Sequence, residues 1–219
     1  MKENILVYGI GTSRSLRVHW ILHELSLPYR SVDFRPRSEY AKSDEYKKIN
    51  PSGKIPSIRI GESVLTESAA ICLYLADRYG LGNFAEGVGS INRGKIYQWC
   101  LFAMTELDAH TLYTLAKHGG KYTKIYGESE VAAKTAREGF ETQILKVENK
   151  LESGKEYLVD NTFSVADILM GTCILFALNL ELENPLEVPA NCIRYFSDLK
   201  KREAFKKASE LNYPRTVPE

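Results

Sequence analysis

The chain has no excess of either charge, no long apolar run and no paired cysteines, and each absence removes a class of function. Its 29 Lys and Arg stand against 28 Asp and Glu. The resulting net charge of +1 creates no global field that would draw in nucleic acid or an anionic membrane. The longest apolar stretch, Ile168 to Leu178, contains Gly171 and Thr172 and is far shorter than the roughly 20 residues a membrane-spanning helix needs. It reads as a core helix. The N-terminal run Ile5-Leu6-Val7-Tyr8 is cut by Gly9 and Gly11, too short for a signal-peptide core, and reads as a first strand. Cys72, Cys100, Cys173 and Cys192 are widely spaced, form no C-x-x-C and show no metal-ligand spacing with the histidines. The expectation is reduced thiols in a cytoplasmic protein with no metal site, whose partners are small molecules or another protein surface.

What is present suits a soluble globular protein. A composition 44% apolar and 26% charged over 219 residues supports one large domain or two small ones with real cores. Through about residue 80, strand and helix patterns alternate. Ile5 to Tyr8 reads as a strand, and Ser15 to Leu25 as a helix with Leu16, Trp20 and Ile21 on one side. Tyr29 to Phe34 is a second strand after the break at Pro28. Glu39 to Lys48 is a polar, partly helical loop; Ser57 to Ile60 and Ser63 to Leu65 form a hairpin turned at Gly61-Glu62; Ser68 to Tyr79 is a helix. The order βαβ, then ββα, resembles a thioredoxin-like unit. From Ser90 onward strand patterns vanish, and Arg93 to Lys117, Ser129 to Glu152, Val165 to Leu180 and Ile193 to Leu211 carry helical spacing. The expected architecture is an α/β thioredoxin-like N-terminal domain over residues 1–81, a Gly-rich linker over 82–90, and an all-α helical C-terminal domain over 91–219.

The chemistry gathers in two short stretches. Asn50-Pro51-Ser52-Gly53-Lys54-Ile55-Pro56 leads into a strand, and Glu67-Ser68 opens the helical run Ala69 to Leu75. A cis bond at Pro56 would turn the backbone of Ile55 outward and leave its N–H and C=O for a bound peptide. Ser68 is expected to cap the helix behind it, where free N–H groups and the positive end of the macrodipole favour a carboxylate. Glu67 beside that pocket suits an ammonium. One small ligand with a backbone-like amide, an α-carboxylate and an α-ammonium is a γ-glutamyl peptide, and glutathione is the abundant one.

On these residues the chain resembles the cytosolic glutathione S-transferases over essentially its full length, as a theta-like, phi-like or bacterial-type member. Asn50 to Pro56 is similar to the family's N-P-x-G-x-[IV]-P, and Glu67-Ser68-x-x-Ile71-x-x-Tyr74-Leu75 to its E-S-x-x-I-x-x-Y-L. Phe163-Ser164-Val165-Ala166-Asp167 is similar to the S-x-A-D motif that begins a buried helix of the second domain. That third motif is also a capping-box arrangement directly before the most apolar helix, so its role is folding. Ser164→Ala should cost about 1–2 kcal/mol through the lost cap.

The resemblance implies a transferase with glutathione as co-substrate and no bound cofactor. Glutathione attacks electrophiles as its thiolate, yet a free thiol of pKa near 8.5 is only about 3% ionised at pH 7. Lowering that value by two units, roughly 2.7 kcal/mol, is within reach of one hydrogen-bond donor and a helix N-terminus. Counting back from Leu27-Pro28-Tyr29 places Thr12 where theta-like and phi-like members carry a serine donor, with Ser13 one residue later. The same count places Tyr8 where alpha, mu and pi members carry a tyrosine. Thr12 or Ser13 is therefore the catalytic candidate, with Tyr8 as a third, and either hydroxyl could equally serve as the N-cap of the first helix. The absence of any cysteine before Cys72 excludes the omega-like and beta-like thiol chemistry.

For the rest of glutathione, the resemblance assigns Ile55 and Pro56 to the cysteinyl backbone, Glu67 and Ser68 to the γ-glutamyl end, Lys54 to the neighbouring region, and Lys42 to the glycine carboxylate. Phi-like members carry a His-Lys pair at that last place, and Ala41 stands here for the histidine. The second substrate, a small hydrophobic electrophile, is expected between the two halves, with Met104 and Tyr113 favoured among the apolar residues of the long helix. Lys200, Lys201, Arg202, Lys206 and Lys207 read as a solvated face. A homodimer, a detoxifying role and an accompanying peroxidase activity follow from the same resemblance. Ser52 at the position of some classes' aromatic key implies a flatter dimer interface. The competing reading is a non-catalytic glutathione-binding or scaffold protein on the same fold.

Overall fold

A computed structural model of the protein describes residues 4–80, 87 and 89–214, so most of the expected linker over 82–90 lies outside the described residues. The described chain separates into two units, Met1–Leu81 with Lys200–Glu219, and Gly82–Leu199.

The first unit is built on a four-stranded mixed sheet of order β2-β1-β3-β4. Strand β1 (Ile5–Tyr8) is buried at every position, as a central strand covered on both faces must be. It pairs in parallel with β2 (Arg30–Val32), and the crossover between them is helix α1 (Ser13–Glu24). Two short helices, α2 (Glu39–Lys42) and α3 (Asp44–Ile49), make up most of the polar, partly helical loop expected there. Each has a serine N-cap: Ser38 Oγ accepts from Ala41 N and Ser43 Oγ from Tyr46 N. The hairpin β3 (Ser57–Ile60) and β4 (Ser63–Leu65) and helix α4 (Ser68–Tyr79) have the expected bounds, because turn chemistry at Gly61, with φ of 59°, and a strong apolar run fix them locally. Strand β3 runs antiparallel to β1 with Tyr8 opposite Ser57.

The chain's last helix also belongs to this unit. The single helix expected over Ile193 to Leu211 is two, α10 (Ala190–Leu199) and α11 (Glu203–Asn212). Helix α11 lies antiparallel along α1. Arg202 grips Glu24 through Nε at 2.5 Å and Nη2 at 2.8 Å, Phe205 meets Trp20 edge-on with centroids 4.9 Å apart, and Asn212 reaches the start of α1. The basic run is thus not wholly a solvated face. Arg202 is an anchor for α11, and Glu24, also bonded to Trp20 Nε1 at 2.9 Å, is its buried partner.

The second unit is all helical. The expected helix Arg93 to Lys117 is α-helical over α5 (Ile91–Phe102), π-helical over Ala103–Leu112, and α-helical again over α6 (Tyr113–His118). The wider turn shows in the backbone bond from Tyr113 N to Asp108 O, five residues back. Helices α7 (Thr123–Tyr126), α8 (Glu130–Leu151), α9 (Val165–Leu178) and α10 complete the unit. The capping-box pair at the start of α9 is present. The fully buried Asp167 accepts from Ser164 N at 2.8 Å, Leu158 N at 3.0 Å and Tyr195 Oη at 2.8 Å. It thereby joins α9, the segment before it and α10. Burial raises its carboxyl above the usual range despite these donors.

Candidate functional site

The turn before β3 is held from inside. Asn50, buried, donates from Nδ2 to Lys54 O at 2.7 Å and to Ser57 Oγ at 3.1 Å. Its Oδ1 accepts from Ser52 N at 3.1 Å and Ser52 Oγ at 2.8 Å. Tyr46, also buried, donates its hydroxyl to Lys54 O at 2.6 Å. The two ends of a trans peptide point in opposite directions. With Lys54 C=O tied inward twice, the N–H of Ile55 faces outward. The Ile55-Pro56 bond is cis, and among the described residues neither the N–H nor the C=O of Ile55 has a hydrogen-bond partner. Tyr46 and Asn50 thus make the unpaired edge, and nothing in the sequence motif itself points to Tyr46.

Helix α4 corrects one expectation. Ser68 is not the N-cap but the first helical residue; Glu67 holds the cap position, with φ of 63° and no side-chain cap bond. The Ser68 side chain is buried and accepts from Arg17 Nη1 at 3.1 Å. Arg17, on α1 and 1% exposed, is a site-supporting residue whose partner no sequence motif points to. The Ser68 and Ala69 N–H groups, among the described residues, have no partner at the positive end of a three-turn helix. The exposed Glu67 carboxylate stands beside them. A non-glycine residue in the left-handed region costs on the order of 1–3 kcal/mol and is characteristic of functional sites.

The third part of the site is the turn from β1 into α1. Gly9, with φ of 95°, lies against Ile55 so closely that a Cβ there would meet Ile55 Cβ at 2.5 Å, which brings this turn to the unpaired Ile55 backbone. Its carbonyl meets His19 Nε2 at 3.3 Å. A carbonyl only accepts, so Nε2 carries the proton of the neutral ring, and Nδ1 accepts from Tyr29 Oη at 3.0 Å. Burial lowers the His19 pKa from 6.5 to about 4. Thr12 is the N-cap of α1: its Oγ1 accepts from Ser15 N at 2.9 Å, and Ser15 Oγ accepts from Thr12 N at 3.1 Å. Ser13 is the first helical residue, half-buried, and among the described residues its hydroxyl has no partner. Tyr8 is buried in the cluster of Phe34, Tyr46 and Ile55. Asn212 from α11 bonds to Gly11, Thr12 and Ser15.

Thr12, Ser13, Ile55, Pro56, Glu67 and Ser68 therefore all lie on one unit. Lys54 is exposed beside Ile55. Lys42 is bound to Glu39 at 2.9 Å in an exposed pair, which solvent screens and a ligand carboxylate can replace. Met104, in the π-helical stretch, and Tyr113, just after it, are half-buried on the second unit; Lys117 Nζ sits 4.4 Å from the Tyr113 ring centroid. The four cysteines are free and buried, and burial pushes the Cys72 and Cys192 thiols up to about 12, so neither is a nucleophile at neutral pH. Among the described residues no three His, Cys, Asp or Glu are grouped to hold a metal ion, and no helix is long and apolar enough to cross a membrane.

Comparison with known proteins agrees with this arrangement. Residues 13–78 match the glutathione S-transferase N-terminal domain, and residues 102–203 the glutathione S-transferase C-terminal domain. The chain is 27% identical over 214 residues to glutathione S-transferase hmp2 of Hypomyces subiculosus, covering 94% of this chain and 97% of that one. It is 32% identical over 141 residues to the probable elongation factor 1-gamma 2 of Arabidopsis thaliana, a match covering 64% of this chain and 31% of that protein. In fold it is similar to the glutathione transferase URE2P6 of Phanerochaete chrysosporium, solved with oxidized glutathione: TM-score 0.82, 24% identity, 96% of each chain covered.

Proposed function

Because the chain belongs to the glutathione S-transferase family, we propose that it binds glutathione on its first unit, lowers the pKa of the bound thiol and transfers the thiolate to a small hydrophobic electrophile. The observation that carries this reading is the outward, unpaired Ile55 amide on the same unit as the unpaired Ser13 N–H at the start of α1 and the uncapped N-terminus of α4. The cysteinyl backbone pairs with Ile55 as an added strand would. The γ-glutamyl carboxylate meets the Ser68 N–H and hydroxyl, its ammonium meets Glu67, and Lys54 with Lys42 serve the glycine end. The sulfur then falls to the start of α1. There Thr12 is occupied with its capping box, and Ser13, whose hydroxyl and N–H lack partners among the described residues, is the donor. A hydroxyl bond to a thiolate together with the helix N-terminus supplies the roughly 2.7 kcal/mol needed for two units of pKa. Met104 and Tyr113 on the second unit are the electrophile's contacts. The buried free thiols suit a reducing cytoplasm, and a homodimer and a detoxifying role accord with the family.

A second reading, a glutathione-binding or scaffold protein without catalysis, is favoured by the engagement of the Thr12 hydroxyl. Calorimetry with glutathione, paired with a panel of aryl halides, isothiocyanates and hydroperoxides, separates the two. Binding with turnover of any panel member supports the transferase, and turnover of the hydroperoxides alone a peroxidase. Binding without turnover supports the scaffold, and no binding rejects both.

A further inference from the structure

Asn212 is the last residue of α11, 200 positions beyond Thr12 in sequence, and it is fully buried. Its Oδ1 accepts from Ser15 Oγ at 2.7 Å and from Gly11 N at 3.2 Å, and its Nδ2 donates to Thr12 O at 3.0 Å. The backbone partners fix which way the amide faces, because an N–H only donates and a C=O only accepts. Ser15 then gives its one hydroxyl proton to the nearer of its two acceptors, Asn212 Oδ1, and keeps a lone pair for Thr12 N. Gly11 before α1, its N-cap Thr12 and its third residue Ser15 are thus held by one side chain brought from 197 to 201 positions away.

We propose that Asn212 is the positioning residue of the thiol-binding turn. The proposal rests on the glutathione reading above. The peptide joining Thr12 to Ser13 has its C=O held both by Leu16 N, at 3.0 Å as the first bond of the helix, and by Asn212 Nδ2 at 3.0 Å, so its N–H, that of Ser13, points the opposite way, out of the helix start. Asn212 reinforces that direction and, through Gly11 N and Ser15 Oγ, fixes the turn on which the Ser13 hydroxyl stands. Its partners lie on either side of the group that donates to sulfur, whereas the γ-glutamyl contacts at Glu67 and Ser68 stand on another element. Loss of Asn212 should therefore weaken thiolate stabilisation and leave the hold on the rest of glutathione intact.

The test is an ultraviolet titration of the thiol of bound glutathione in wild type, Asn212→Ala and Asn212→Asp. It is paired with calorimetry using S-methylglutathione, which has no ionisable thiol, and with thermal melts. In Asn212→Ala the bound thiol pKa is expected to rise by about one unit, a tenfold loss of the thiolate ratio below that pKa. S-methylglutathione affinity should stay within about twofold of wild type, since its contacts are elsewhere. Asn212→Asp keeps both accepted bonds, loses the one to Thr12 O and places a negative charge near the sulfur, so its thiol pKa should rise at least as far. If Asn212→Ala does not fold, the Asp variant alone decides. Folded variants with the wild-type thiol pKa, or a fall in S-methylglutathione affinity that matches the loss of thiolate, would overturn the proposal. A wild-type protein that binds no glutathione would instead reject the functional reading on which it stands.

Discussion

Gly9 packs on Ile55 with no room for a side chain: a Cβ on Gly9 would lie 2.5 Å from Ile55 Cβ and from Ile55 Cγ2. This contact joins the end of β1 to the turn that presents the Ile55 amide, and the φ of 95° at Gly9 is one that other residues rarely adopt. Gly9→Ala should cost about 2–4 kcal/mol of stability, combining overpacking with backbone strain, and should displace Ile55 enough to abolish glutathione binding. Urea denaturation and calorimetry check the two effects. A variant as stable as wild type that still binds would contradict the contact's importance.

Thr12 and Ser13 divide the labour at the start of α1. Thr12→Ala should lose about 1–2 kcal/mol of stability with its cap, whereas Ser13→Ala should stay within about 0.5 kcal/mol. Titration of the bound thiol should show the reverse order, with the larger rise in pKa for Ser13→Ala. If Thr12→Ala gives the larger rise, the donor is Thr12 and the capping box opens when glutathione binds.

Glu67 has, among the described residues, no partner for its exposed carboxylate, and its left-handed backbone has no structural use apparent in the fold. Glu67→Ala should weaken glutathione binding by more than about 1 kcal/mol, the loss of a charged hydrogen-bond partner, and leave the melting temperature nearly unchanged. Unaltered calorimetric affinity would remove Glu67 from the site.

His19 makes stability depend on acid. Its folded pKa of about 4 lies below the ordinary 6.5, so the unfolded chain holds more protons in between. The stability linked to a neutral His19 is therefore full above pH 6.5 and is lost as pH falls toward 4, amounting to about 3 kcal/mol. Urea midpoints at pH 7 and pH 4.5 should differ less for His19→Gln than for wild type, even if the variant is weaker at pH 7. An identical pH dependence would show that the acid sensitivity arises elsewhere.

Most of the first unit was legible because its signals are local. The hairpin around Gly61 and helix α4 follow from turn residues and apolar spacing within a dozen positions, and the Ile55 and Glu67 motifs sit at their edges. The capping box of Ser164 and Asp167 is local too. What escaped depends on contacts far apart in sequence. Tyr46 and Asn50 orient the Ile55 amide through Lys54 O; Arg17 is buried against Ser68, 51 positions away; Asn212 reaches back along α11 to the first turn of α1. The last helix read as one because Lys200, Lys201 and Arg202 do not interrupt helical spacing, and the contacts that put α11 with α1, Arg202 on Glu24, Phe205 on Trp20 and Asn212 on Thr12, are all far apart in sequence. The π-helical stretch over Ala103–Leu112 left no periodic signature, since one extra residue per turn shifts an apolar stripe that was already broad.

The most direct measurement is the pH titration of the thiolate absorbance of glutathione bound to the wild-type protein. A donor at Ser13 acting with the N-terminus of α1 should bring the thiol from about 8.5 to about 6.5, making the thiolate the main form at pH 7. A bound thiol that still titrates near 8.5 would contradict thiolate activation at this site.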